Sequence, residues 1–355
     1  MNRVFATVDL GRLLNNFKSL KNKNGSICVV KADAYGHGAN SIASAIDGAF
    51  SFAVSSLKEA LDIVDVARAP VIILGDGYPS EFYDAIQNNI VVSVGSLENA
   101  AKLDAVSRRM KKKARAVLCI NTGMNRDGFY FDDIDGIMRT MSLENVDVIG
   151  VYTHPPRDED PAFISIQRDR LRQISKIISS AGKNVFISFE NSGICPTGEF
   201  ISRLGISLYG LVPGGYSCPS VLPIMELKAA VLSLRRVKKG EYIGYGLTFL
   251  SKRDMICATI AAGYADGVPY SMSNRGSVII NGKRAPIVGA VCMDMMMVDV
   301  TKIQCSLGDI ATIIGKDGNE IISFEDVARC ADTINYEIPC GISKRVPRIY
   351  IGGEK

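Results

Sequence analysis

The sequence predicts an α/β chain: an N-terminal (β/α)8, TIM-like barrel followed by a smaller, mostly β domain. Three observations carry this expectation. Eight short apolar runs punctuate the first two hundred residues, and amphipathic stretches of helical period separate them. Beyond a Pro- and Gly-rich segment the rhythm changes to short alternating runs broken by turn signals. Eight strand–helix units close into a barrel more readily than they tile an open sheet.

The elements follow in order. RVFATVDL (3–10) comes before the first unit and reads as a ninth strand outside the barrel. The barrel runs are ICVV (27–30), SFAV (51–54), VIIL (71–74), VVSV (91–94), AVLCI (116–120), VDVIGVY (146–152), VFISF (185–189) and RLGISLY (203–209). Ser56-x-x-Glu59 forms a capping box before ALDIVDVA. RRMKKKAR (108–115) has no interleaved aromatics, so it reads as a solvated helix end rather than an RNA site. Asp160-Pro161 opens a long helix with Phe163, Ile166, Leu171, Ile174, Ile177 and Ile178 on one face. VPGGYSCPSVLP (212–223) is a linker, and KKGE, ADGVP, INGKR and KDGNE mark turns after it. The expected division is a barrel over 9–215 and a β domain over 222–355, with strand 1–8 packing on the latter.

Composition excludes several classes. A net charge of +4, from 41 basic and 37 acidic residues, is too balanced for a nucleic-acid footprint. No apolar stretch approaches membrane-spanning length, and the N-terminus lacks the apolar core of a secretory signal. Nine scattered cysteines without a CxxC pair point to reduced thiols and a cytoplasmic setting. Two histidines, His37 and His154, rule out most zinc arrangements, so no metal is expected.

Reactive groups of a β/α barrel stand at the C-terminal ends of its strands. Strand one ends in Lys31, followed by Tyr35; strand five runs into Asn121 and Arg126; strand six ends at His154; strand seven ends at Asn191-Ser192; Arg203 opens the last. Any one of these could be a loop residue facing water, but together they outline a rim. Desolvation lowers the pKa of a lysine in an apolar barrel mouth, and its neutral amine can form a Schiff base. Nearby arginines call for an anion, and hydroxyls with glycines suit a phosphate. A phosphorylated aldehyde, pyridoxal 5′-phosphate (PLP), meets both demands.

VVKADAYGHG (29–38) resembles the cofactor-lysine motif of the alanine racemases, the fold-type III PLP enzymes. The resemblance continues through NTGMNRDGF (121–129), GVYTH (150–154), ENSG (190–193) and RLGISLYG (203–210). GEYIGYGLTF (240–249), AAGYADGVP (261–269), VGAVCMDMMMVDV (288–300) and INYEIPCGISKRVPRIY (334–350) extend it over nearly the whole chain. It implies that Lys31 holds PLP and acts as one base, with Tyr245 as the opposite base from the other subunit of a homodimer. By the same resemblance His154 orients that tyrosine, and Tyr35, Ser192 and Tyr336 hold the phosphate with the backbone of Gly205 and Ile206. Arg126 and the backbone at Met293 would meet the substrate carboxylate; Tyr264 and Asp294 would line the entrance. Arg203 would face the pyridine nitrogen and keep it unprotonated, because a guanidinium donates and cannot accept. PLP decarboxylases on similar barrels have an acidic residue there.

The implied reaction is interconversion of L- and D-alanine, with cell-wall D-alanine supply as the family expectation. The alternatives are a racemase of another or broader amino-acid set, such as serine, and a non-catalytic PLP carrier. Such carriers lack the β domain, Tyr245 and the MD motif, all of which this chain has. It departs from the family pattern in three places. Ser188 stands where a histidine is usual, PPRDED follows His154, and Cys119 replaces a lysine that many relatives carbamylate to fix the neighbouring arginine. The expectation is that a bound anion such as chloride, or Asn121, meets Arg126 instead, and that Cys119 stays an inert thiol.

Overall fold

A computed structural model describes residues 2–156, 160–191, 198–212 and 221–353. Barrel strands one to eight are Ser26–Val29, Ser51–Val54, Val71–Ile73, Val92–Val94, Ala114–Asn121, Val146–Tyr152, Phe186–Ser188 and Ser202–Leu204. Strands eight, one, two and three pair in parallel in that order, and strands four to seven form a second parallel arc. Single parallel bridges, Ile72 to Val91 and Ser188 to Ile201, join the two arcs into a closed barrel. Phe52, Val54, Val94, Leu118 and Val151 are wholly buried, as expected where a parallel sheet is covered by helices.

Three expectations are corrected. The last apolar run is not all strand: it ends at Leu204, and Ile206–Tyr209 forms a 3-10 turn. Gly205 makes the bend at the barrel's C-terminal rim, where a strand leaving the sheet must turn. The long helix Pro161–Ser180 begins as foreseen, with the Asp160 side chain accepting from the Phe163 amide. Its buried stripe, however, is Ile164, Gln167, Leu171, Ile174 and Ile178, while Ile166 faces water. At 100° per residue, Ile166 lies 200° round from Ile164 and cannot share its face. The capping box is only half formed. Ser56 accepts from the Glu59 amide, but the Glu59 carboxylate turns to the Ser55 amide and hydroxyl and to the Ala32 amide (2.8–2.9 Å).

The second unit is a nine-stranded sheet built around the long strand Met225–Val237. The strand Val4–Asp9 lies in this sheet, antiparallel to Met225–Val237 and parallel to Arg348–Ile351. The turns at KKGE, ADGVP, INGKR and KDGNE each place a glycine at positive φ (Gly240, Gly267, Gly282, Gly318). The C-terminal segment returns to the barrel: the Arg348 guanidinium donates to the Gly36 carbonyl and Asn335 to that of Val212. The Pro-rich linker over 213–220 falls outside the described residues.

Candidate active site

Lys31 follows the first barrel strand, and the chain then does something unusual. Ala32, Asp33, Ala34 and Tyr35 have φ of 51°, 54°, 55° and 51°, one left-handed turn made without glycine. Each such residue costs about 1–2 kcal/mol, so the turn must be held from outside. It is: Glu59 accepts the Ala32 amide at 2.8 Å, the Asp33 side chain accepts the Ala39 amide at 2.8 Å, and Arg348 grips the Gly36 carbonyl. Gly36 closes the turn at φ 79°, where an added Cβ would stand 2.0 Å from the Pro339 carbonyl oxygen. The turn sets Tyr35 against Tyr336 and Tyr209 at ring separations of 6.4 and 5.2 Å.

The result is a cavity of about 390 Å³ at the C-terminal mouth of the barrel, lined by Lys31, Tyr35, Arg126, His154, Arg203, Gly205, Ile206 and Tyr336. Eight residues singled out in the sequence therefore meet in one place. Burial lowers the Lys31 amine below the ordinary lysine value, and the Arg126 charge lowers it further. Arg203 is buried without a carboxylate partner among the described residues, and desolvation pushes it down to about 10, still charged at neutral pH. It donates to Ser188 Oγ (2.8 Å), the Thr153 carbonyl (2.6 Å) and the Phe189 carbonyl (3.4 Å). Ser188 thus supports Arg203 directly, and in turn donates to the Ile201 carbonyl at 2.9 Å.

His154 is pushed down to about 3 by burial first, then by Arg203, Arg126 and Lys31, so its ring is neutral. Its Nδ1 lies 3.3 Å from Arg203 Nη2, which can only donate. Nδ1 is therefore the acceptor, and Nε2 carries the proton. Cys119 lies under the cavity, held up at about 12 by burial first and the Asp127 charge second, so it is a thiol. Asn121 does not meet Arg126. Its carbonyl oxygen accepts from the Gly123 and Asn125 amides and its nitrogen donates to Asn125 Oδ1, all within the loop.

Tyr245, Tyr264, Met293 and Asp294 do not line this cavity. Tyr245 opens a 3-10 turn of the β domain with 76% of its surface exposed, and Tyr264 and Met293 are 46% and 53% exposed. The Tyr264 amide bonds to the Cys292 carbonyl, and Arg345 bridges Asp294 and the buried Asp266 at 2.7 Å each. Ser192 lies outside the described residues.

The sequence reading missed three contributors: Asp127, which lines the cavity; Tyr152, whose hydroxyl meets Ser93 Oγ and the Gly75 amide; and Glu59. Asp127 stands beside Arg126 within NTGMNRDGF, and an acid next to a rim arginine is a signal that could have found it.

Chain-wide comparison decides the family. Residues 8–213 match the family model for the alanine racemase N-terminal domain and residues 224–350 that for the C-terminal domain. The chain belongs to the alanine racemase family. It is 36% identical over 369 residues to an alanine racemase of Carboxydothermus hydrogenoformans, covering 99% of this chain and 100% of that one. Among solved structures, the alanine racemase of Clostridium difficile 630 superposes with a TM-score of 0.92 at 31% identity, covering 99% of this chain and 96% of that one. The alanine racemase of Bartonella henselae, solved with covalently bound pyridoxal phosphate, gives 0.86 at 29%, covering 99% and 100%. This chain is thus an amino-acid racemase of a PLP-dependent family.

The cavity fits that cofactor. It offers an amine of lowered basicity, two tyrosines and the backbone of Gly205 and Ile206 at the start of the 3-10 turn. Among the described residues no helix is long and apolar enough to cross a membrane, and no cluster of three or more His, Cys, Asp or Glu could hold a metal.

Proposed function

We propose that the chain interconverts L- and D-alanine with two bases on opposite faces of the substrate, Lys31 Nζ and Tyr245 Oη of a second copy. The observation that supports this most is the incompleteness of the cavity. It holds an amine, a neutral imidazole and two arginines, yet the tyrosine of the IGYG motif is exposed elsewhere. A homodimer in which each β domain closes its neighbour's barrel supplies the missing group. The domains divide as 9–215 and 222–355, and the reduced cysteines suit the cytoplasm.

Lys31, Tyr35 and Tyr336, the backbone of Gly205 and Ile206, and Arg203 would hold PLP, joined by Ser192. Bound there, PLP supplies an electron sink that makes the substrate Cα–H acidic. Arg126 receives the substrate carboxylate, with Met293, Asp294 and Tyr264 of the second copy at the entrance. The His154 Nε2–H donates to the Tyr245 oxygen and fixes its position, and Arg203 in turn fixes the His154 tautomer. Each positioned base contributes about 10²–10⁴-fold. Facing the ring nitrogen, Arg203 would donate and could not accept, so it would leave that nitrogen without a proton, a weaker electron sink that would favour racemisation over transamination.

The test is loss of optical rotation across an amino-acid panel, combined with borohydride reduction and peptide mass spectrometry. Alanine should be racemised fastest, with the pyridoxyl label on the peptide containing Lys31. A label on another lysine, or no racemisation of any amino acid by the labelled protein, contradicts the proposal.

A further inference from the structure

We propose that Asp127 is the built-in anion that positions Arg126 for the substrate carboxylate, an inference that rests on the role given to Arg126 above. Asp127 is the one carboxylate lining a described cavity that carries Lys31, Arg126 and Arg203. Its Oδ1 lies 3.7 Å from Arg126 Nε and 3.7 Å from Cys119 Sγ. Among the described residues Arg126 has no other acidic partner.

The protonation states fix the roles. Burial and the Asp127 charge keep the proton on Cys119, so the thiol donates and the carboxylate is the anion. Asn121 is spent on its own loop. With Nε turned to Asp127, both terminal NH2 groups of Arg126 are left for a two-point grip on a carboxylate. The Cys119 thiol steadies Asp127, and the Gly75 backbone passes close by, where an added Cβ would make an ordinary 3.7 Å contact with Asp127 Oδ2. A chain that carries its own anion needs neither a carbamate nor a halide, which reverses the halide dependence expected from sequence.

The pair is partly exposed (57% for Arg126, 25% for Asp127), so its effect is screened and modest. Wild-type kcat/KM should not respond when chloride is exchanged for a large, poorly coordinating anion, or when bicarbonate is removed, at constant ionic strength. Asp127→Asn should raise KM for alanine about five-fold with kcat changed less, and formate or chloride should restore part of the loss. Asp127→Glu, which retains the charge, should stay insensitive to halide and give the second reading if Asp127→Asn folds poorly. A wild-type response to halide, or an Asp127→Asn protein with unchanged KM, overturns the proposal. Arg126→Lys in the same buffers separates the two levels. If it raises KM while Asp127→Asn does not, the Asp127 role alone falls; if it leaves KM unchanged, the Arg126 role falls and takes this one with it.

Discussion

Gly36→Ala should damage cofactor binding through a residue that never touches the cofactor. Two costs combine there. The φ of 79° is strained for any side chain, worth about 1 kcal/mol. In addition, the new Cβ would stand 2.0 Å from the Pro339 carbonyl, which must retreat by about 1 Å before the contact reaches even 3.0 Å. Overpacking of that kind costs about 1–3 kcal/mol more. Pro339 sits in the short helix Glu337–Gly341 immediately after Tyr336, so the retreat carries the Tyr336 hydroxyl out of the cavity. With Tyr336 holding PLP as proposed, losing that hydrogen bond should weaken PLP binding about ten-fold.

Gly182→Ala is the control, because Gly182 has a φ of 74° and nothing within 4 Å of its added Cβ. It should bear only the backbone cost, a Tm drop of about 2–4 °C, and bind PLP normally. The assay is titration of the apoprotein with PLP by absorbance, with thermal unfolding of both variants. The reasoning is refuted if Gly36→Ala binds PLP like wild type and melts no lower than Gly182→Ala.

Two further outcomes follow from the protonation states. Burial holds His154 down at about 3 and His37 at about 4, against an unfolded value near 6.5, so below pH 6.5 the unfolded chain binds protons that the folded chain refuses. Stability is therefore intact above pH 6.5 and falls as pH drops, with a slope of about 2 kcal/mol per pH unit near pH 5.5; a urea midpoint unchanged between pH 7 and 5 would count against both assignments. Cys119, held at about 12, should react with a thiol reagent at neutral pH far more slowly than the exposed Cys340, and equal rates would show a thiolate at Cys119.

Much of the barrel is legible in the sequence because each parallel strand is buried on both faces and so appears as an apolar run. The rim residues are legible for the same reason, since the residue after each run falls at the mouth. What is not legible depends on distant partners. No local preference announces a left-handed turn through Ala32, Asp33, Ala34 and Tyr35; Glu59, Ala39 and Arg348 impose it from three other places in the chain. Ser56-x-x-Glu59 has the capping pattern, yet the Glu59 carboxylate accepts from the neighbouring Ser55 amide and from the distant Ala32 amide instead. Asn121 looks free in a linear reading, and only the folded loop shows its amide satisfied three times over. Ile164 and Ile166 differ by two positions and by opposite faces of a helix.

The central claim is that two chains share each site, and complementation tests it most directly. Lys31→Ala and Tyr245→Phe proteins are each purified inactive, mixed in equal amounts, and allowed to exchange subunits. Every mixed dimer then carries one site with both bases and one with neither. With half the dimers mixed, activity should recover to about a quarter of wild type. Verified exchange with no recovery would place both bases in one chain and contradict the account.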